Sequence, residues 1–370
     1  MVNFQETLIK TVKNLGFLPF DQLMQIALTD ESQGYYIHKN PFANMGDFTT
    51  SPQLSQVFGE LLGLFLAEVW LTMGQPTKLN LVELGGGSGL LIADILRTTK
   101  KVEGFHNALS LHFIEINQPL KALAQQKLQE YATIPKTWYS CVEQLQLSEI
   151  TIVYSNEFFD AIPLKQYCYQ NQHFYELGVT CSQNNDLQLT FMKTLSQPAL
   201  ALPCHFQENA IYETSPLTHK IFQQLIDIIK RVQGVILTID YGYINSSCIS
   251  SLRGFKNQQL LNIQEILHHI TNADITYNVN FNELQNLAKE NSVATYNILT
   301  QHDFLEDLGF SNRVATLANN ILDSKTKELF LANNNKIINQ QEMGNTFKVM
   351  ALTKGLPYLP VFYKPTSYEK

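Results

Sequence analysis

The chain has 370 residues, 45% of them hydrophobic, and its 33 Asp and Glu against 26 Lys and Arg leave a net charge of −7. That length and apolar content suit one large domain or two with a real core, while the acidic balance lacks the basic footprint of a nucleic-acid binder. Five scattered cysteines (Cys141, Cys168, Cys181, Cys204 and Cys248) form no C-x-x-C pair and fit reduced thiols better than a disulfide framework or a zinc site.

The N-terminal stretch MVNFQETLIKTVKNLGF places charges inside an apolar period, so it reads as an amphipathic helix and not as a signal peptide. With no transit peptide in view, a bacterial cytoplasmic protein is expected, although a processed mitochondrial matrix chain would look the same. Next comes GYYIHKNPFANMGDFTT, an aperiodic loop rich in aromatics, a type of segment that is functional more often than accidental. Ser51 and Pro52 read as the N-cap and first position of a helix that places Leu54, Phe58, Leu61, Phe65 and Val69 on one face. Its most apolar part, LLGLFLAEVW, carries Glu68 and is far short of the roughly 20 residues that span a bilayer, so no membrane insertion is expected. Residues 1–77 are expected as an N-terminal helical lid region.

From Lys78 the pattern changes. LNLVEL, ALSLHFIEI, TWYS, EITIVYS and GVILTIDYG read as strands alternating with helices, which predicts an α/β domain over 78–355 built on a doubly wound, mostly parallel sheet. The alternation breaks between about 165 and 214, where QYCYQNQHFYELGVT and LQLTFMK predict a β-rich insertion, a small antiparallel sheet. A helical addition is expected over about 245–340, then a last strand in TFKVMALTKG and a tail over 356–370.

Between the first strand and its helix stands Glu83-Leu84-Gly85-Gly86-Gly87-Ser88-Gly89. The dinucleotide fingerprint fails because Leu90 stands where its third glycine belongs, and the phosphate-binding P-loop fails for want of a Gly-Lys-Ser/Thr ending. What remains is E-x-G-x-G-x-G, a loop suited to S-adenosylmethionine (SAM). Gly85, Gly87 and Gly89 let the backbone turn and a ligand approach, Glu83 is placed for the ligand's ammonium, and Glu115 at the end of the second strand for the ribose hydroxyls. Close strand-to-helix packing is the plainer account of the same glycines.

The fourth strand ends in Asn156-Glu157-Phe158-Phe159-Asp160. Carboxylates accept guanidinium N–H groups in a fork, so Glu157 and Asp160 are candidates for orienting such a group, with Asn156 as a further acceptor. Phe158 and Phe159 would wall the channel or cover the cofactor. A turn cap at Asn156, a helix cap at Asp160 and two core phenylalanines form the structural alternative. Asp47, with Thr49 and Ser51, is a second candidate group, as are Asp240 and Tyr241 where the fifth strand closes; a capping turn and a tight turn are the plainer readings.

GYYIHKNPFANMGDFTTSPQLSQVFGE, LVELGGGSG, YSNEFFDAIPLKQY, LTIDYGY and MGNTFKVMAL resemble, in order and spacing, the MidA family of mitochondrial complex I assembly methyltransferases and their bacterial relatives. The resemblance runs from about Leu15 to Gly355. It implies a class I SAM-dependent methyltransferase fold (Rossmann-like), SAM as cofactor, a protein arginine as methyl acceptor, and a respiratory complex I subunit as partner. The chain departs from the family pattern at Gly86 and Ser88, where Pro and Arg are frequent, at Gln53 in place of Glu, and at Asn280 in place of Asp. Two other functions stay open: a SAM-binding assembly factor without catalysis, and a methyltransferase for a small molecule or another protein group. The oligomeric state stays open between monomer and homodimer.

Overall fold

The computed structural model describes residues 4–38, 50–194, 206–245, 248–257, 259–356 and 358–362. The chain divides into two units, each assembled from three separate segments. The larger takes Thr49–Phe158, Ile221–Ile244 and Leu284–Lys370; the other takes Met1–Phe48, Phe159–Lys220 and Asn245–Glu283.

The larger unit is built on a twisted sheet. Its main strands are β1 (Leu79–Leu84), β2 (Leu109–Ile114), β3 (Lys136–Tyr139), β4 (Thr151–Asn156), β5 (Gly234–Tyr243) and β6 (Phe347–Lys354). They lie in the order β6-β5-β4-β1-β2-β3. The first five are parallel, and β6 runs antiparallel to β5. All six residues of LNLVEL are buried, as befits a central parallel strand covered on both faces. Helix Gln56–Thr72 supplies Phe58, Leu62, Phe65, Leu66 and Trp70 to the core formed with Leu81, Ile152, Leu237 and Val349. The strand order reverses between β1 and β4, the switch point at which ligands settle in sheets of this kind.

The helix expected from Ser51 onward is two helices. Thr50 stands at the cap, its N–H donating to Gln53 Oε1 at 3.0 Å, and a four-residue helix ends at Leu54. Ser55 then adopts an extended backbone and accepts the Val57 N–H at 3.1 Å, starting the longer helix. A capping-competent Ser inside the apolar period restarts the helix there.

The smaller unit contains the β-rich insertion. Strands Lys165–Gln170, His173–Cys181, Leu187–Lys193 and Ile211–Thr214 pair antiparallel, and Leu18–Pro19 joins their sheet. Helices Phe4–Leu15 and Phe20–Thr29 pack Leu8, Val12, Leu23 and Met24 against Leu177 and Val179 of this sheet. Lys165 is held between Asp21 and Glu176. The expected 1–77 region is therefore divided: its first two helices belong with the insertion, and Thr50 onward belongs with the large sheet. The addition after residue 245 is also not all helical, because Arg253–Lys256, Gln259–Leu261 and Asp274–Thr276 form a three-stranded sheet.

Candidate functional site

The chain leaves β1 at Leu84 and turns through the glycines into helix Leu90–Thr99. The Gly85 N–H donates to the Ile114 carbonyl of β2 at 2.9 Å. Gly85 and Gly89 hold φ of +69° and +71°, in the left-handed region that favours glycine. A Cβ on Gly85 would lie 3.0 Å from Phe158 Cδ2, and one on Gly89 would lie 2.9 Å from Ala124 Cβ. The loop is thus pressed between the end of β4 and helix Gln118–Lys127.

Glu115 follows β2 and ties the loop to that helix. Its Oε2 accepts the Gly87 N–H at 2.9 Å and its Oε1 accepts the Asn117 N–H at 2.8 Å. Burial raises the Glu115 carboxyl, and these backbone donors act against that rise. A carboxylate oxygen has two lone pairs, so each of these oxygens can accept once more.

Glu83 is 4% exposed and lies in register with Tyr154 of β4. Neither Glu83 Oε2 nor the Tyr154 hydroxyl has a hydrogen-bond partner among the described residues. Burial pushes the Glu83 carboxyl up to about 8; the facing Tyr154 hydroxyl works in the opposite direction, and the Glu115 charge adds to the rise. A Cβ on Gly86 would come within 3.1 Å of Glu83 Oε2, so the loop backbone lies directly over this oxygen. A buried acceptor without a donor costs free energy that a ligand carrying N–H groups recovers.

The end of β4 is built with similar economy. Asn156 Nδ2 donates to Glu157 Oε1 at 2.9 Å. A carboxylate only accepts, so the amide must present its nitrogen to Glu157 and turn Oδ1 the other way. Asn156 Oδ1 is buried and has no partner among the described residues. Glu157 holds φ +53°, uncommon for a residue with a side chain, and its N–H donates to the Ile239 carbonyl at 3.0 Å. The Phe158 N–H donates to Asp240 Oδ2 at 3.1 Å, and Asp240 Oδ1 accepts the Tyr241 N–H at 2.9 Å. The Tyr241 ring packs on Phe347 with centroids 4.0 Å apart.

Several expected site residues have other tasks. Asp160 is buried, accepts the Thr276 hydroxyl at 2.8 Å, and belongs to the smaller unit, whereas Glu157 belongs to the larger. Phe159 is fully buried and its carbonyl accepts the Tyr277 hydroxyl at 2.9 Å, which makes it a packing residue. Ser51 is likewise buried, donating to Gln301 Oε1 at 3.5 Å. Asp240 is buried and braces the turn after β4. Asp47 and Thr49 lie outside the described residues. Tyr154 was not singled out in the sequence, where a tyrosine at the centre of a buried strand carries no motif; the structure sets it opposite the Glu83 carboxylate.

Residues 61–299 match a family of S-adenosyl-L-methionine-dependent methyltransferases. The chain belongs to this family. The mouse and human mitochondrial proteins named protein arginine methyltransferase NDUFAF7 are 29% and 28% identical to the methyltransferase over 367 residues. These alignments cover 93% of this chain and 83% and 82% of those proteins. A Burkholderia thailandensis crystal structure bound to S-adenosyl-homocysteine superposes with a TM-score of 0.80 at 19% identity, covering 98% of this chain and 96% of that one. A native crystal structure from the same organism gives 0.79 at 18% identity, with the same coverage. The expected fold class, a SAM-dependent methyltransferase sheet with added elements, is the one observed, and SAM is the methyltransferase's cofactor. Among the described residues no helix is long and apolar enough to cross a membrane.

Proposed function

We propose that this methyltransferase transfers a methyl group to an arginine guanidinium of a protein, with Asn156 and Glu157 orienting the acceptor. The observation that carries this reading is the pair of acceptors at the end of β4: the Glu157 carboxylate, held in an unusual backbone conformation, beside a buried Asn156 Oδ1 without a partner among the described residues. Carboxylate and amide oxygens side by side suit a planar group that brings several N–H donors and no acceptor. The mouse and human relatives carry the name protein arginine methyltransferase. A respiratory complex I subunit is the protein partner that the MidA resemblance implies.

The donor site in this reading is Glu83, Gly85, Gly87, Gly89 and Glu115. The Glu83 oxygen, without a partner among the described residues, fits the ammonium of SAM, the spare lone pairs of Glu115 fit the ribose hydroxyls, and the glycines admit the ligand without side-chain obstruction. SAM supplies a methyl group activated by its sulfonium. The protein's share is orientation: a fully delocalised guanidinium is a weak nucleophile, and hydrogen bonds to Glu157 and Asn156 Oδ1 hold its charge on two nitrogens and aim the third. Phe158, packed over Gly85, walls the space between donor and acceptor.

The test is incubation of a cell lysate with radiolabelled SAM and the wild-type or Glu157→Gln protein. A labelled protein band that yields methylarginine on hydrolysis, and loses at least tenfold of its rate in the variant, is the expected result. Label confined to small molecules, or an unchanged rate in the variant, overturns the proposal.

A further inference from the structure

We infer that Tyr154 is a positioning residue for the methyl donor, acting through Glu83 by favouring the ionised form of that carboxylate. This rests on the reading that Glu83 receives the donor's ammonium, and extends it to a residue on another strand. Tyr154 is 1% exposed in the middle of β4, and it lies directly across from Glu83 of β1 in the parallel register. Its hydroxyl and Glu83 Oε2 are both buried, and neither has a hydrogen-bond partner among the described residues. A purely apolar packing site would be filled as well by phenylalanine, without an uncommitted hydroxyl in the core.

The electrostatic setting gives that hydroxyl its use. The titratable groups facing Glu83 are Tyr154 and, from the end of β2, Glu115. Burial and the Glu115 charge favour a protonated Glu83, and a protonated carboxyl is a poor partner for a cation. Among the described residues the phenol is the neighbour that acts against both. Its own ionisation is pushed well above the ordinary tyrosine value, first by burial and then by the Glu83 charge, so it remains an O–H donor throughout the working pH range. Donor affinity should therefore fall as pH drops below the Glu83 value, and removing the phenol oxygen should move that fall to higher pH.

The experiment is calorimetric titration of S-adenosylhomocysteine, which carries the same amino-acid end, into wild type, Tyr154→Phe and Glu83→Gln between pH 6 and pH 10. A hydrogen bond that the phenol makes once Glu83 is ionised corresponds to about one pH unit, so Tyr154→Phe should bind about tenfold more weakly at pH 7. The ratio to wild type should shrink toward one by pH 10, and titration of the ligand's own amine cancels in that ratio. A ratio constant across the range, or no loss at any pH, overturns the inference while leaving the Glu83 reading intact. If Glu83→Gln binds as tightly as wild type at every pH, the Glu83 reading itself fails.

Discussion

The Asp240 carboxylate, fully buried at the end of β5, accepts the Phe158 N–H at 3.1 Å and so holds the turn that leaves β4. The same turn carries Glu157 at φ +53° and places Phe158 against Gly85. Two neighbouring strands thus fix the conformation of one short segment through a single side chain. Asp240→Asn keeps the shape but converts one accepting oxygen into a donor facing a backbone N–H. The expected cost is about 2 kcal/mol in urea unfolding, together with a lower kcat for methyl transfer. Restored activity in the variant would show that the turn holds itself.

Glu83 makes the ligand-free protein sensitive to pH in an unusual direction. Its carboxyl is raised from 4.5 to about 8 in the folded chain, so between those values the folded state retains a proton that the unfolded chain releases. Its contribution to stability is present below pH 4.5 and is lost as pH rises through about 8. Glu83→Gln, which cannot titrate, should flatten this part of the profile. Urea midpoints for both proteins at pH 5 and pH 8 check it, with the difference between the proteins changing sign or size across the interval.

Glycines with the same backbone conformation should respond differently to substitution. Gly74 holds φ +81° after helix Gln56–Thr72 and a Cβ there meets nothing within 4 Å, so Gly74→Ala should cost about 1 kcal/mol. Gly89 adds a collision, because its Cβ would lie 2.9 Å from Ala124 Cβ and 3.0 Å from Ala124 Cα. Gly89→Ala should therefore cost about 3 kcal/mol and weaken donor binding, since helix Leu90–Thr99 must shift against its neighbour. Thermal unfolding with and without S-adenosylhomocysteine separates the two.

Glu60, on the core helix, accepts Arg97 Nη1 at 3.0 Å and Arg313 Nε at 2.7 Å while being 3% exposed itself. Burial acts to raise its carboxyl, but the hydrogen bonds and charges of Arg313 and Arg97 prevail and hold it below the usual value. Its stabilisation is present above pH 4.5 and is lost as pH falls through that lowered value. Both arginines are nearly half exposed, so Glu60→Gln should cost about 1–2 kcal/mol at pH 7, with the gap to wild type closing in acid. Urea unfolding at pH 7 and pH 3 measures both.

The large sheet was legible because its strands are short apolar runs separated by helices with recognisable starts, as in LNLVEL and helix Gln118–Lys127 with Asn117 at its cap. The donor loop was legible because backbone turning and close approach both demand glycine, and the protein cannot disguise that demand. Burial of charge was not legible. Asp160 and Asp240 look in sequence like loop carboxylates, and only tertiary contact with Thr276 and the Phe158 N–H decides that they face inward. Nor does sequence distance announce that Phe4–Leu15 packs against a sheet strand at His173–Cys181, because that pairing is carried by apolar surface without a motif. Tyr154 was hidden for the same reason, since β-branched and aromatic residues suit any buried strand.

The position of β6 has a consequence for how the protein is made. This strand, the last of the sheet in chain order, pairs with β5 along its length from Tyr241↔Phe347 to Gly234↔Lys354. During synthesis β1 to β5 emerge first, and the flank of β5 stays uncovered until residues far downstream have been translated. A nascent chain halted before Phe347 would present a long, apolar, unpaired strand edge, the feature that recruits chaperones and seeds aggregation. Synthesis of Phe347–Lys354, more than local helix or hairpin formation, therefore sets the earliest moment at which this sheet can close.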